Sequence, residues 1–261
     1  MLLQEMTWQE IDALDRTTLV VATFGAMEQH GTHLPLETDA LIGREIARRL
    51  DLACDSRLLI LPTQWLGLSL HHMSFSGTLT TSVETYLSMA FELLGSVARA
   101  GFQKILVINS HGGNVSALDL VLTKCREQYP NTRVVGVTYW NVAAAQLTAL
   151  RESPVGGMGH ACELETSLVL ASRPDLVRGE GVPPDGRQAI SEFLSKDMLV
   201  GGSVTVSRHF SEISQHGAVG DPRTASAEKG ERFFRVIVDQ LVKLVGEIES
   251  ARIDEFRRIG E

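Results

Sequence analysis

The sequence predicts an α/β fold, a three-layer α/β/α sandwich with a mostly parallel central sheet. Two observations carry this. Strand-like and helix-like segments alternate along the chain, and the strand segments are short continuous apolar runs, as expected of strands covered on both faces. A third observation fits: polar and histidine-rich segments follow directly on predicted strand ends, where open α/β sheets bind ligands.

The elements follow in order. Residues 18–24 (TLVVATF) form an apolar, β-rich run that ends at Gly25. Residues 39–50 predict a helix, with Ala40, Ile42, Ile46, Ala47 and Leu50 on one face and Thr38 or Asp39 as its cap. A short strand is expected at 58–62 and a long amphipathic helix at 82–100, closed by Gly101. Residues 104–109 (KILVIN) predict a fully buried strand, 115–128 a helix and 133–138 a strand. The stretch 178–220 is richer in Gly, Pro and Ser and is expected to be a long irregular insertion or lid, with a hairpin near 202–207. A helix over 225–251 closes the chain. No repeat or low-complexity linker interrupts it, so residues 1–261 are expected to form one domain.

Bulk properties narrow the function. The chain has 261 residues, 44% hydrophobic and 21% charged, enough for a sizeable core. Its net charge of −8 argues against binding to nucleic-acid phosphates. The N-terminal residues do not resemble a secretory signal, and no apolar run approaches a membrane span. Three widely spaced cysteines, Cys54, Cys125 and Cys162, suit reduced thiols, so a cytoplasmic protein is expected.

Four of the eight histidines fall in three loops: Gly25 to Asp39 (GAMEQHGTHLPLETD), Ser110 to Asn114 (SHGGN) and Gly159 to Ser167 (GHACELETS). In extended backbone, Glu28 and His30 point to the same side. Asp39 returns close to the end of the first strand, and its two oxygens can bridge two cations. His111 enters from another strand end. Mixed N and O donors of this kind suit Zn²⁺, Mn²⁺ or Fe²⁺ rather than Ca²⁺. Other chemistries fit less well. Gly112-Gly113-Asn114 lacks the spacing and lysine of a phosphate loop and is better explained as a tight turn. Cys162 with His160 has no orienting partner in sequence. No Gly-x-Ser-x-Gly elbow follows a strand.

These three segments, with Phe75-Ser-Gly-Thr-Leu79 and Gly217-Ala-Val-Gly-Asp-Pro222, resemble the creatininase (creatinine amidohydrolase) family in order along nearly the whole chain. The resemblance implies the three-layer fold, a homohexamer, two divalent metal ions per chain (Zn²⁺ first, Mn²⁺ or Fe²⁺ as alternatives) and hydrolysis of amide C–N bonds. It implies that Glu28 and His30 each hold one metal, that Asp39 bridges them and that His111 shares the metal of Glu28. Creatininase carries a carboxylate where this chain has Gly113, and Glu163 is expected to replace it as fifth ligand beside His30 and to count, with His160, among the catalytic residues. Glu165 is expected to make a supporting hydrogen bond, with a ligand role in reserve. Trp140 matches one of two substrate-site tryptophans; the other is absent, and Gly112 stands where creatininase has Tyr. A more open pocket follows, with Ser69, His72, Gly112 and Trp140 as candidate substrate contacts. The expected chemistry is attack on the amide carbonyl by a metal-bridged hydroxide, with His160 as proton shuttle. The substrate is expected to be a small molecule: a cyclic amide, a formamide or another small amide. Alternatives are a peptidase of the mycofactocin-precursor type and a non-catalytic metal-binding protein on the same scaffold.

Overall fold

The computed structural model describes residues 1–179, 182–187, 191–195 and 197–255. The chain opens with a short helix α1 (Trp8–Asp12) and strand β1 (Leu19–Phe24), followed by α2 (Thr38–Ala53), β2 (Leu59–Ile60), α3 (Val83–Arg99) and β3 (Lys104–Asn109). Then come α4 (Val115–Gln128), β4 (Arg133–Thr138), α5 (Tyr139–Val142), α6 (Ala144–Leu150), β5 (Met158–His160) and α7 (Glu163–Ser172). Helix α8 (Phe210–Ile213), β6 (Val219–Gly220) and α9 (Ala227–Glu249) complete it.

The central sheet is parallel throughout, in the order β2-β1-β3-β4. Alternation along its strands divides the core into two layers. Leu19 and Val21 of β1, with Leu106 and Ile108 of β3, face one side. There they meet Ile42, Ile46 and Leu50 of α2 and Phe233, Phe234, Ile237 and Leu241 of α9. Val20, Ala22 and Phe24, with Ile105 and Val107, face the other, against Tyr86, Phe91 and Leu94 of α3 and Leu118 and Val121 of α4. Each such side chain contributes about 1.5–3 kcal/mol by leaving water. This is the predicted α/β/α sandwich, and the continuous apolar strands exist because both faces are covered. Among the described residues, no helix is long and apolar enough to cross a membrane. All three cysteines are buried free thiols.

Three local expectations change. The first large helix starts at Thr38, with Glu37 at the capping position, and neither Thr38 nor Asp39 caps it. Thr38 instead donates to the Pro35 carbonyl. The hairpin expected near 202–207 does not form: residues 201–209 are exposed and make no ladder. The β-branched residues there find one backbone partner, Val204 N–H donating to the Phe193 carbonyl. A small antiparallel pair, β5 with β6, was not anticipated. It joins the His160 segment to the chain returning from the insertion.

Candidate metal centre

The first motif is held at the sheet edge by close backbone approach. A Cβ on Gly25 would lie 2.7 Å from Ala40 Cα and N, so only glycine lets the start of α2 pack against the end of β1. That contact delivers Asp39, in the first turn of α2, to the strand end. The amide end of a helix favours a carboxylate there. Ser110 ties the same junction, its hydroxyl 2.8 Å from the Asp39 carbonyl oxygen. Beyond β3, the Asn109 side chain grips the backbone of His111 on both sides, accepting from its N–H and donating to its carbonyl. Asn114 donates to the Gly25 carbonyl and accepts from the Leu68 N–H. Three strand-end loops are thereby fixed to one another.

The side chains they carry converge. His30 directs Nδ1 to the Glu28 carbonyl oxygen at 3.2 Å and turns Nε2 to Asp39 Oδ1 at 3.3 Å. His111 directs Nε2 to the Leu68 carbonyl oxygen at 3.0 Å and turns Nδ1 to Asp39 Oδ2 at 3.1 Å. In the neutral rings the nitrogen at the carbonyl carries the hydrogen, which leaves a lone pair aimed at each Asp39 oxygen. Backbone carbonyls orient metal-binding histidines in this way. A second carboxylate stands beside each ring: Glu165 Oε1 lies 3.8 Å from His30 Nε2, the lone-pair side, and Glu28 Oε2 lies 3.4 Å from His111 Nε2, the N–H side. Glu28, His30, Asp39, His111 and Glu165 are all buried. Among the described residues, Glu28 Oε2, His30 Nε2 and Asp39 Oδ2 have no hydrogen-bond partner. Polar atoms orphaned in the interior are costly. Divalent cations would satisfy all three, so the residues fit a metal pair. Glu28, His30 and Asp39, and separately His30, His160 and Glu165, bring ligand atoms within 4.8 Å of one another.

The charges show the same need for cations. Burial pushes the Glu28 and Glu165 carboxyls up to about 7 against the pull of their histidines. Asp39 is buried too, yet His30 and His111 hold it below the ordinary carboxylate range. Burial opposes charge on the rings, but Asp39 and its neighbours raise His30 to about 10, and Glu28 with Asp39 raises His111 to about 9. Without metal, protons held on His30 and His111 balance the Asp39 charge and those on Glu28 and Glu165 offset burial; metal binding to such a site releases protons.

His72 and His160 sit beside Glu28, with His72 Nε2 at 3.2 Å and His160 Nδ1 at 3.8 Å from Oε1. Gln29 organises both. Its Nε2 contacts His72 Nδ1 at 2.6 Å and donates to the Gly217 carbonyl, while its backbone carbonyl accepts from His160 Nε2 at 2.7 Å. With Nδ1 of His72 accepting, the N–H of Nε2 points at Glu28, so His72 presents a donor and not a lone pair. Burial, then neighbouring histidines, push His72 well below its ordinary pKa; burial and His30 do the same for His160.

Glu163, expected as fifth ligand and catalytic residue, is not brought to the cluster. Its Oε1 accepts from the Glu152 N–H and from Lys229 Nζ at 2.8 Å, and its Oε2 accepts from the Ser153 N–H. Both oxygens are used in tying α7 to α9 and to the loop after α6. Glu165, the reserve candidate, faces His30, and its Oε2 accepts from the N–H of Ala161, a non-glycine residue in left-handed backbone (φ 50°). Trp140 is not brought in either: it is buried in the apolar layer, edge-on to Tyr139. Ser69 is buried, its hydroxyl 3.5 Å from His111 Nε2, and Gly112 is exposed with open space where a Cβ would stand.

Gly113 explains a departure seen in the sequence. A Cβ there would lie 2.1 Å from the Leu68 carbonyl oxygen and 2.5 Å from His111 Nε2, so no carboxylate can occupy the position. His71 stands in that space, and with Glu28 and His111 it forms a further group able to hold a metal. His71 carries no motif in the sequence; its position depends on the 3₁₀ turn Leu70–His72. Gly113→Ala is expected to cost about 1–3 kcal/mol through this overpacking, read as a fall in thermal midpoint.

The chain matches the creatininase family model, described as creatinine amidohydrolase, over residues 4–245. It is 33% identical over 234 residues to the mycofactocin precursor peptide peptidase of Mycobacterium tuberculosis, covering 87% of this chain and 84% of that one. It is 27% identical to the creatinine amidohydrolase of Pseudomonas putida, covering 93% and 95%. Among solved structures, a mutant creatininase of Zn–Zn type superposes with a TM-score of 0.75 at 25% identity, covering 94% and 97%. Fold, motif order and the convergence of the motif residues agree with these matches, and the chain belongs to the creatininase family.

Proposed function

We propose that the chain is a dinuclear-metal hydrolase of amide C–N bonds and that short peptides are its substrates. The observation that carries the metal reading is Asp39, with one oxygen turned to His30 Nε2 and the other to His111 Nδ1. In this reading Glu28 and His111 would hold one cation and His30 and Glu165 the other, with Asp39 offering one carboxylate oxygen to each. Zn²⁺ or Mn²⁺ suits the mixed imidazole and carboxylate donors. Such a pair polarises an amide carbonyl and makes water acidic near neutral pH.

The chain's own residues do the rest. Asp39, Glu28 and Glu165 would supply the carboxylate ligands. His72 steadies Glu28 through its Nε2–H. His160, neutral and with Nε2 committed to the Gln29 carbonyl, has Nδ1 free to accept a proton beside Glu28 and pass it to the leaving nitrogen. That role is worth roughly 10²–10⁴-fold. His160→Ala is therefore expected to lower kcat by about that factor while metal content, measured by mass spectrometry, stays near two ions per chain. Turnover close to wild type would remove His160 from the chemistry.

The peptide class is supported by similarity to the mycobacterial peptidase and by the open space at Gly112. The similarity to a creatinine amidohydrolase over nearly the whole chain supports a second reading, a small non-peptide amide. A screen of metal-loaded protein against short peptides, creatinine, lactams and formamides separates them. Cleavage of peptides in preference to the others is expected; turnover of creatinine alone would overturn the peptide class.

A further inference from the structure

One aromatic ring from the insertion lies against the candidate centre. The Phe210 ring centroid is 3.9 Å from that of His72, 4.8 Å from His160 and 5.5 Å from His71. These imidazoles arrive from two separate elements, the Leu70–His72 turn and β5. No motif pointed to Phe210, which follows an exposed stretch of chain. The residue is half-buried, with three imidazoles against its ring.

Its mounting is rigid. The Ser211 hydroxyl bonds that of Ser74 at 3.0 Å, the Ile213 carbonyl accepts from the Arg187 N–H, and the Ser214 hydroxyl donates to Asp185 at 2.8 Å. Asp185 also accepts from the N–H groups of Gln215 and His216. These bonds tie the four-residue helix that carries the ring on both sides. Leu70 and Met73, exposed beside the two histidines of the turn, extend the apolar surface.

We propose that Phe210 is a specificity-determining residue: it forms an apolar wall beside the reacting centre and selects amides that carry an apolar group next to the scissile C–N bond. The proposal rests on the amide-hydrolase reading of the centre. An aromatic face against an apolar group adds to the burial of apolar area, and a hydrophobic contact of this kind discriminates roughly tenfold.

The test uses the full chain loaded with Zn²⁺. Calorimetry gives the affinities of acetohydroxamate and benzohydroxamate, and kinetics give kcat/KM for two peptides differing only in Gly or Leu at the scissile bond. Wild-type protein is expected to prefer benzohydroxamate and the Leu peptide, each about tenfold. Phe210→Ala should erase both preferences, and Phe210→Gln, which keeps length without the apolar face, should do the same should the alanine variant fold poorly. Absence of both preferences in the wild type, or their survival in the folded variants, overturns the proposal. If no peptide is cleaved but the hydroxamate preference exists and is lost in the variants, the wall stands and the peptide-hydrolase reading fails.

Discussion

Replacing Asp39 by alanine is expected to empty the centre of both metal ions and to abolish amide hydrolysis. Each half of the cluster uses one Asp39 oxygen, so one substitution removes a ligand from both ions at once. The loss in metal affinity should exceed the 10- to 100-fold typical of altering a group that merely supports a ligand. Since bound metal supplies several kcal/mol of transition-state stabilisation, turnover should fall on the order of 10³-fold or more. Asp39→Asn, keeping shape and one neutral oxygen acceptor, should retain part of the metal. Mass spectrometry after gel filtration reads both variants. Two ions per chain in Asp39→Ala would remove the bridge from the account.

The second large effect separates two glutamates that stand two residues apart. Glu165→Gln is expected to leave about one ion per chain and cut kcat by roughly 10² or more, because His30 and Asp39 alone hold the second cation weakly. Glu163→Gln is expected to keep both ions and to lose stability instead. It removes the buried charge opposite Lys229, which among the described residues keeps Glu152 as ion-pair partner and the Thr224 carbonyl as acceptor. Breaking a buried pair costs about 3–5 kcal/mol, and the remaining partners reduce this to about 2–3 kcal/mol. The pH dependence has a definite sign. Burial works against the Glu163 carboxylate, but Lys229 and the Ser153 and Glu152 amides hold its pKa below the ordinary value. Its stabilisation is therefore present above the ordinary carboxylate range and is lost as pH falls through the lowered folded value. Melting midpoints of wild type and Glu163→Gln should differ at pH 7 and converge well below about pH 4. A Glu163→Gln protein that melts normally and lacks one ion would reverse the two assignments.

Much of this was legible from local pattern. The buried strands β1 and β3 read as uninterrupted apolar runs because both faces are covered. Glu28 and His30 could be paired because extended backbone repeats every two residues, and Asp39 because the next helix must begin where the strand ended. What sequence alone could not decide depends on distant partners. Glu163 and Glu165 both lie in the first turn of α7, and Lys229, 66 residues away, determines which one is spent on structure. Gly113 reads as a turn residue until the Leu68 carbonyl is seen where its side chain would be. Phe210 carries no signal at all, since only the folding back of the insertion places it on the histidines. The hairpin failed for the converse reason: the β-branched run at 204–206 has the propensity but no neighbouring strand.

Anomalous diffraction from a crystal grown with Zn²⁺ reads the metal pair at Asp39 itself. Two zinc peaks are expected, one between Glu28, His111 and Asp39 Oδ2, the other between His30, Glu165 and Asp39 Oδ1. A single peak, or a peak coordinated by Glu163, would rule out a pair held by Asp39.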